Sequence, residues 1–176
     1  MSVLSDRDIV KRLGEDLDDG AILISPCDVD LDVQPSSVDL HLGGEIKSMT
    51  GALLMDLIEE DYYILEPNEF VLASTYEHIG VPSDLVGLVD GKSSLGRVGI
   101  TAHITAGWID PYFQGNITLE IKNVSNKPFK LHYKMSICQI IFITLSSPSE
   151  KPYGHSERNN HYQNSKGTIP SYYMKL

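Results

Sequence analysis

Cysteine is nearly absent from the chain: its 176 residues hold two, Cys27 and Cys138. Two thiols so far apart give no disulfide framework, and reduced cytoplasmic thiols are the simpler reading. Neither sits in a Cys-x-x-Cys, and the six histidines offer no spaced pair on a common helix, so the zinc signature of nucleobase deaminases is incomplete. Positive charge is also scarce, with 14 Lys and Arg against 24 Asp and Glu and a formal net charge of -10. A protein that grips a phosphate backbone needs a basic stripe, so nucleic acid is not expected as a partner. A small anion is not excluded, because a few local cations outweigh a distant negative field. Long apolar runs are missing too. The longest, Ile137 to Leu145, is broken by Gln139 and Thr144, and a bilayer span needs about 20 apolar residues. The opening residues turn charged within six positions, which speaks against a secretory signal.

With 41% hydrophobic residues and no repeat or low-complexity linker, the chain reads as a single domain over 1–176. Residues 147–176 are polar and carry Pro148, Pro152, Gly154, Gly167 and Pro170. This stretch is expected to be a mobile tail or a lid. Ser5 with Asp8 three residues on predicts a short N-terminal helix, with Ile9, Val10 and Leu13 on one face and Gly14 as its stop. Strand signals dominate afterwards: Tyr62 to Leu65, Phe70 to Thr75, Leu85 to Val89, Asn116 to Ile121 and Ser136 to Leu145, separated by turn residues. Many short strands predict an all-β distorted barrel or jelly-roll. In Asn116 to Ile121, the apolar Ile117, Leu119 and Ile121 alternate with polar residues. Period two therefore places Thr118 and Glu120 together on the face away from the core.

Two segments carry candidate chemistry. Gly91-Lys92-Ser93 imitates the end of a P-loop, but Gly87 and Gly91 enclose three residues where four are required, and no helix–strand alternation surrounds them. What remains is a turn that brings Lys92, Ser93 and Arg97 close together. Ser93 and Arg97, four apart, would point to one site on a helical turn, and both cations can donate to a phosphate. A solvated turn capped by serines fits the same residues. The second segment runs from Thr105 to Gly115, with glycines that permit close backbone approach and Asp110 before Pro111 at a turn. It reads either as a base-reading hairpin or as an ordinary one with Trp108 filling the core. No Gly-x-Ser-x-Gly elbow occurs.

In their order and number these segments resemble the dCTP deaminase branch of the dUTPase superfamily. The segments are Leu4-Ser-Asp-Arg-Asp-Ile, Gln34-Pro-Ser-Ser-Val-Asp-Leu, Gly91-Lys-Ser-Ser-Leu-Gly-Arg, Thr105-Ala-Gly-Trp-Ile-Asp-Pro, Ile117-Thr-Leu-Glu-Ile and Ser147-Pro-Ser-Glu-Lys-Pro-Tyr-Gly. The resemblance implies a homotrimer with active sites at subunit contacts, a dCTP or dUTP substrate and magnesium carried with the triphosphate. It implies Glu120 as general base, with Ser93, Arg97 and the backbone at Ala106 positioning the water. Lys92, Ser93, Ser94, Leu95, Gly96 and Arg97 would meet the phosphates, Asp110 the deoxyribose, and Thr118, Leu119 and Glu120 the base. Gln139 and Tyr153 match further nucleotide contacts. His161 and Ser165 stand where family members usually carry Lys and Gln, which leaves Lys166 to replace the lost charge.

Gly107-Trp108 resembles the bifunctional members that yield dUMP for thymidylate synthesis, whereas members that stop at dUTP carry Thr-Ala-His-Arg here. A small residue at Gly107 is expected to leave space beside base and sugar. The alternatives are a deaminase that releases dUTP and ammonia, a dUTPase only, and a non-catalytic nucleotide-binding trimer. The glycine-rich last motif of dUTPases is absent, and a sensor needs no water-activating base.

Overall fold

The computed structural model describes residues 2–175. The first element is the helix Asp6–Arg12. The Ser5 side chain accepts from the Asp8 N–H at 3.4 Å and donates to Asp8 Oδ2 at 3.1 Å, which satisfies one orphan donor of the first turn. The helix ends at Leu13, already extended, rather than at Gly14. Ile9 is fully buried, but Val10 is 43% exposed, so the expected three-residue face narrows to Ile9 and Leu13.

Arg12 fastens this helix to the sheets. Its two terminal nitrogens donate to Asp84 at 2.9 and 2.6 Å, and the guanidinium also donates to the Gly20 carbonyl. The Arg12 hydrogen bonds hold the Asp84 carboxyl below the usual carboxylate range. A depressed folded-state pKa stabilises the fold above the unfolded value, and the gain disappears as pH falls through the folded one. Asp84→Asn is therefore expected to cost about 1 kcal/mol at neutral pH, a figure discounted for partial exposure. The gap to wild type should close in acid, and urea titrations at a series of pH values would show it; a gap independent of pH would refute the linkage.

Two five-stranded antiparallel sheets form the body. One has the order Ile100–Thr101, Thr118–Asn123, Phe70–Ser74, Glu45–Lys47, Leu53–Asp56; the other Trp108–Ile109, Leu85–Gly91, Ser136–Thr144, Ser37–His41, Val33–Gln34. A three-stranded sheet and the pair Tyr63–Leu65 with Phe129–Leu131 complete the strand set. The all-β expectation holds in this sandwich-like form, and among the described residues no sheet closes on itself. Leu40, Ile140 and Phe142 from one sheet share a fully buried core with Ile46, Leu119 and Ile121 from the other. Ser37–His41 has nearly buried residues on both faces, and its outward His41 Nδ1 lies 2.7 Å from Oε1 of Glu77, which is 2% exposed. Burial pushes the Glu77 carboxyl up, against the hydrogen bonds from His41.

Candidate active site

The strand Thr118–Asn123 alternates as its sequence does, with Leu119, Ile121 and Asn123 buried and Thr118, Glu120 and Lys122 half-buried. Pairing with Phe70–Ser74 sets Glu120 opposite Leu72 and Thr118 opposite Ser74. Thr118 and Glu120 thereby reach a cavity of about 580 Å³ whose wall is mainly apolar and includes Phe70, Leu72, Trp108 and Phe113. That volume lies within the range of small-molecule sites. Glu120 Oε2 accepts the Thr105 N–H at 3.2 Å, which fixes the carboxylate against the loop before Trp108.

That loop is shaped by its backbone. Ala106 lines the cavity with a left-handed φ of 61°. Gly107 does not face open space: a Cβ there would lie 2.4 Å from the Val89 carbonyl oxygen. The Val89 N–H donates to the Gly107 carbonyl at 2.7 Å. The expectation of free room beside base and sugar is therefore corrected, because a neighbouring strand occupies that room. The glycine allows the loop to dock. Trp108 is 53% exposed and lines the cavity, so it is no core filler.

Asp110 sits at the turn, with its carbonyl accepting the Phe113 N–H at 3.2 Å, and also lines the cavity. Tyr153 packs edge-on against Phe113 with ring centroids 5.6 Å apart. Its hydroxyl accepts the Tyr162 N–H at 3.1 Å. The C-terminal stretch is stitched down at several points. Asn116 and Ser165 exchange backbone and hydroxyl hydrogen bonds at 3.0 Å, an approach close enough that a Cβ on Gly115 would meet Ser165 Oγ at 2.6 Å. The fully covered Thr168 bonds to Glu45, and Lys47 donates to its carbonyl at 3.0 Å. Ile169 N–H donates to Thr118 Oγ1 at 3.1 Å, so the tail crosses the face that carries Glu120.

The turn Ser93–Gly96 lies elsewhere. Ser93, Ser94, Gly96 and Arg97 are exposed, and the Arg97 N–H donates to the Ser93 carbonyl one turn back. None of them lines the cavity of Glu120. Leu95 and Leu119 are core side chains, which leaves only backbone for a ligand. Lys92 is ion-paired with Asp39, whose side chain is 13% exposed, and so is not a free phosphate ligand. Releasing it would strand a buried carboxylate. Gln139 bridges strands instead of facing the cavity: its Oε1 accepts from Ser37 at 2.8 Å and its Nε2 donates to the Gly91 carbonyl. Ser165 lines the cavity, whereas His161 stacks on Tyr172 at 3.9 Å and Lys166 is exposed outside the lining.

His103 escapes a reading of motifs. It lines the cavity, and both its ring nitrogens are buried without a partner. A buried polar group in that condition is costly unless something supplies its hydrogen bond. Lone among unlike neighbours, it carries no spacing signal. For a metal, no three His, Cys, Asp or Glu side chains gather into a cage among the described residues.

A β-rich domain with two carboxylates, Glu120 and Asp110, at a mainly apolar cavity under a polar tail defines a small-ligand enzyme domain. The model of the dCTP deaminase-like family matches residues 3–145, and the chain belongs to that family. It is 45% identical over 184 aligned positions to a protein of Methanosphaera stadtmanae named "dCTP deaminase, dUMP-forming", covering 95% of this chain and 91% of that one. A protein of the same name from Methanothermobacter thermautotrophicus is 43% identical, with 92% and 89% covered. In fold the chain is similar to the 2'-deoxycytidine 5'-triphosphate deaminase of Agrobacterium tumefaciens, with a TM-score of 0.61 and 22% identity over 80% of this chain and 48% of that one. It is also similar to the dUTPase of Staphylococcus aureus phage phi11, in which a structural Mg(II) ion is described, with a TM-score of 0.52 and 13% identity over 78% and 99% of the two chains.

Proposed function

We propose that the chain deaminates dCTP to dUTP and ammonia without a protein-held zinc, and cleaves dUTP to dUMP and pyrophosphate. The observation that carries the reading is Glu120, a carboxylate held by the Thr105 N–H at the wall of a nucleoside-sized cavity. Such a base takes a proton from water as the oxygen attacks the amino-bearing ring carbon, then delivers a proton to the departing ammonia. Thr118 and the backbone at Ala106 flank the base, and Asp110 meets the sugar hydroxyl.

Ser93 and Arg97 are required to position water and neutralise phosphate, yet they line no part of this cavity. Their separation from Glu120 supports a site completed by a second subunit, as in a homotrimer. Magnesium enters with the triphosphate rather than through protein ligands. The reading places the enzyme in the cytoplasm; no helix among the described residues is long and apolar enough to cross a membrane.

The dUMP-forming relatives, at 45 and 43% identity over most of both chains, favour the coupled reaction over a deaminase that stops at dUTP. Time-resolved product analysis with dCTP and magnesium tests it: ammonia, dUMP and pyrophosphate are expected to rise together with little free dUTP. Accumulation of dUTP in step with ammonia, without pyrophosphate, would leave only the deaminase. Cleavage of added dUTP with no ammonia from dCTP would leave only a dUTPase.

A further inference from the structure

Four side chains were candidates for the phosphate end of the ligand, and none is a free donor at the cavity of Glu120: Lys92 pairs with Asp39, His161 stacks on Tyr172, and Arg97 and Lys166 lie outside the lining. Another cation borders an adjoining cavity. Arg158 lines a second cavity of about 410 Å³, bounded also by Ser149, Lys151 and Asn160. This cavity shares Asp110 and Tyr153 with the one that holds Glu120, so the two adjoin at the sugar end of the proposed nucleotide site.

The chemistry of the second cavity is that of an anion site. Arg158 Nε donates to the Lys151 carbonyl at 3.2 Å, and its backbone N–H to the His155 carbonyl at 2.8 Å. Its terminal nitrogens have no partner among the described residues, and no carboxylate lies within ion-pair distance of them. Lys151 is paired with Glu157. Asn160 Oδ1 accepts the Gly154 N–H at 2.7 Å, which leaves the amide donors free. An anchored guanidinium with two unpaired terminal nitrogens, beside an amide and a hydroxyl, offers donors that suit phosphate oxygens in geometry as well as charge. Asp110 stands in the wall shared by the two cavities.

We propose that Arg158 is a binding residue for the polyphosphate of the nucleotide, and that the tail cavity around it is a polyphosphate subsite contributed by the subunit that carries Glu120. The assignment rests on the nucleotide reading above for the identity of the anion. The site itself rests on Arg158, its free donors and the shared wall.

The test uses the full chain with Arg158→Gln and Arg158→Lys, both at an exposed position. Isothermal titration with inorganic tripolyphosphate, the KM for dCTP and inhibition by deoxycytidine are measured side by side. In Arg158→Gln the tripolyphosphate Kd and the dCTP KM are expected to rise on the order of tenfold, with kcat within about twofold. Arg158→Lys should recover most of the loss, and deoxycytidine, which lacks phosphates, should inhibit all three proteins equally. Unchanged Kd and KM in Arg158→Gln would overturn the subsite, as would an equal loss of deoxycytidine affinity, which would mark a merely structural role. A wild type that releases no ammonia from dCTP fails the enzymatic reading instead, while the tripolyphosphate titration still decides on Arg158.

Discussion

Glu120→Gln is expected to lower ammonia release from dCTP by about 10²-fold or more while nucleotide affinity stays near wild type. The amide fills the same volume on the polar face of Thr118–Asn123 and can still accept the Thr105 N–H through its carbonyl oxygen. It cannot take a proton from water at neutral pH. Loss confined to kcat is thus the signature of a base, whereas a loss of binding alone would make Glu120 a ligand contact. The same variant tests the subunit arrangement. Arg97→Ala should also be nearly inactive, because the proposed site needs the guanidinium, four residues beyond Ser93, at the water and phosphates. If Arg97 reaches the Glu120 cavity from a neighbour, co-refolding the two inactive proteins must create some sites with both residues intact. Activity should then return to a sizeable fraction of wild type. A mixture as inactive as its parents would place both residues in one subunit and sink the shared site.

What the sequence disclosed follows from where its information is local. The alternation around Glu120 is a property of five adjacent residues, and the burial of Leu119 and Ile121 against half-buried Thr118 and Glu120 reproduces it. The Ser5 cap is local in the same way. Ser37–His41 and Glu45–Lys47 alternate in the same way but over only five and three residues, too short to stand out, and each is held by partners distant in sequence. Thr168 reads as part of a polar tail, yet it is buried by Glu45 and Lys47, more than a hundred positions away. The family resemblance located Asp110, Thr118, Glu120, Tyr153 and Ser165, and all five line the same cavity. It did not reveal that Asp39 occupies Lys92 or that Gln139 braces Ser37 and Gly91, since a motif records residue type and not the partner a side chain has taken.

Gly107 is where the two sources of information part most sharply, and Gly107→Ala separates them. The methyl would stand 2.4 Å from the Val89 carbonyl oxygen, backbone that cannot swing aside as a side chain does. Overpacking of this kind costs about 1–3 kcal/mol, and the loop relieves it by lifting off the strand Leu85–Gly91. Lifting breaks the Val89 N–H bond to the Gly107 carbonyl and moves Thr105 away from Glu120. Ammonia and pyrophosphate formation should therefore fall together, on the order of tenfold, with a lower melting temperature. If the glycine acted instead by leaving space for a second water at the α-phosphate, the methyl would spare deamination. Ammonia would continue at the wild-type rate, pyrophosphate would stop and dUTP would accumulate. A protein that melts as wild type does and shows that split overturns the docking role, and returns Gly107 to the selection of product.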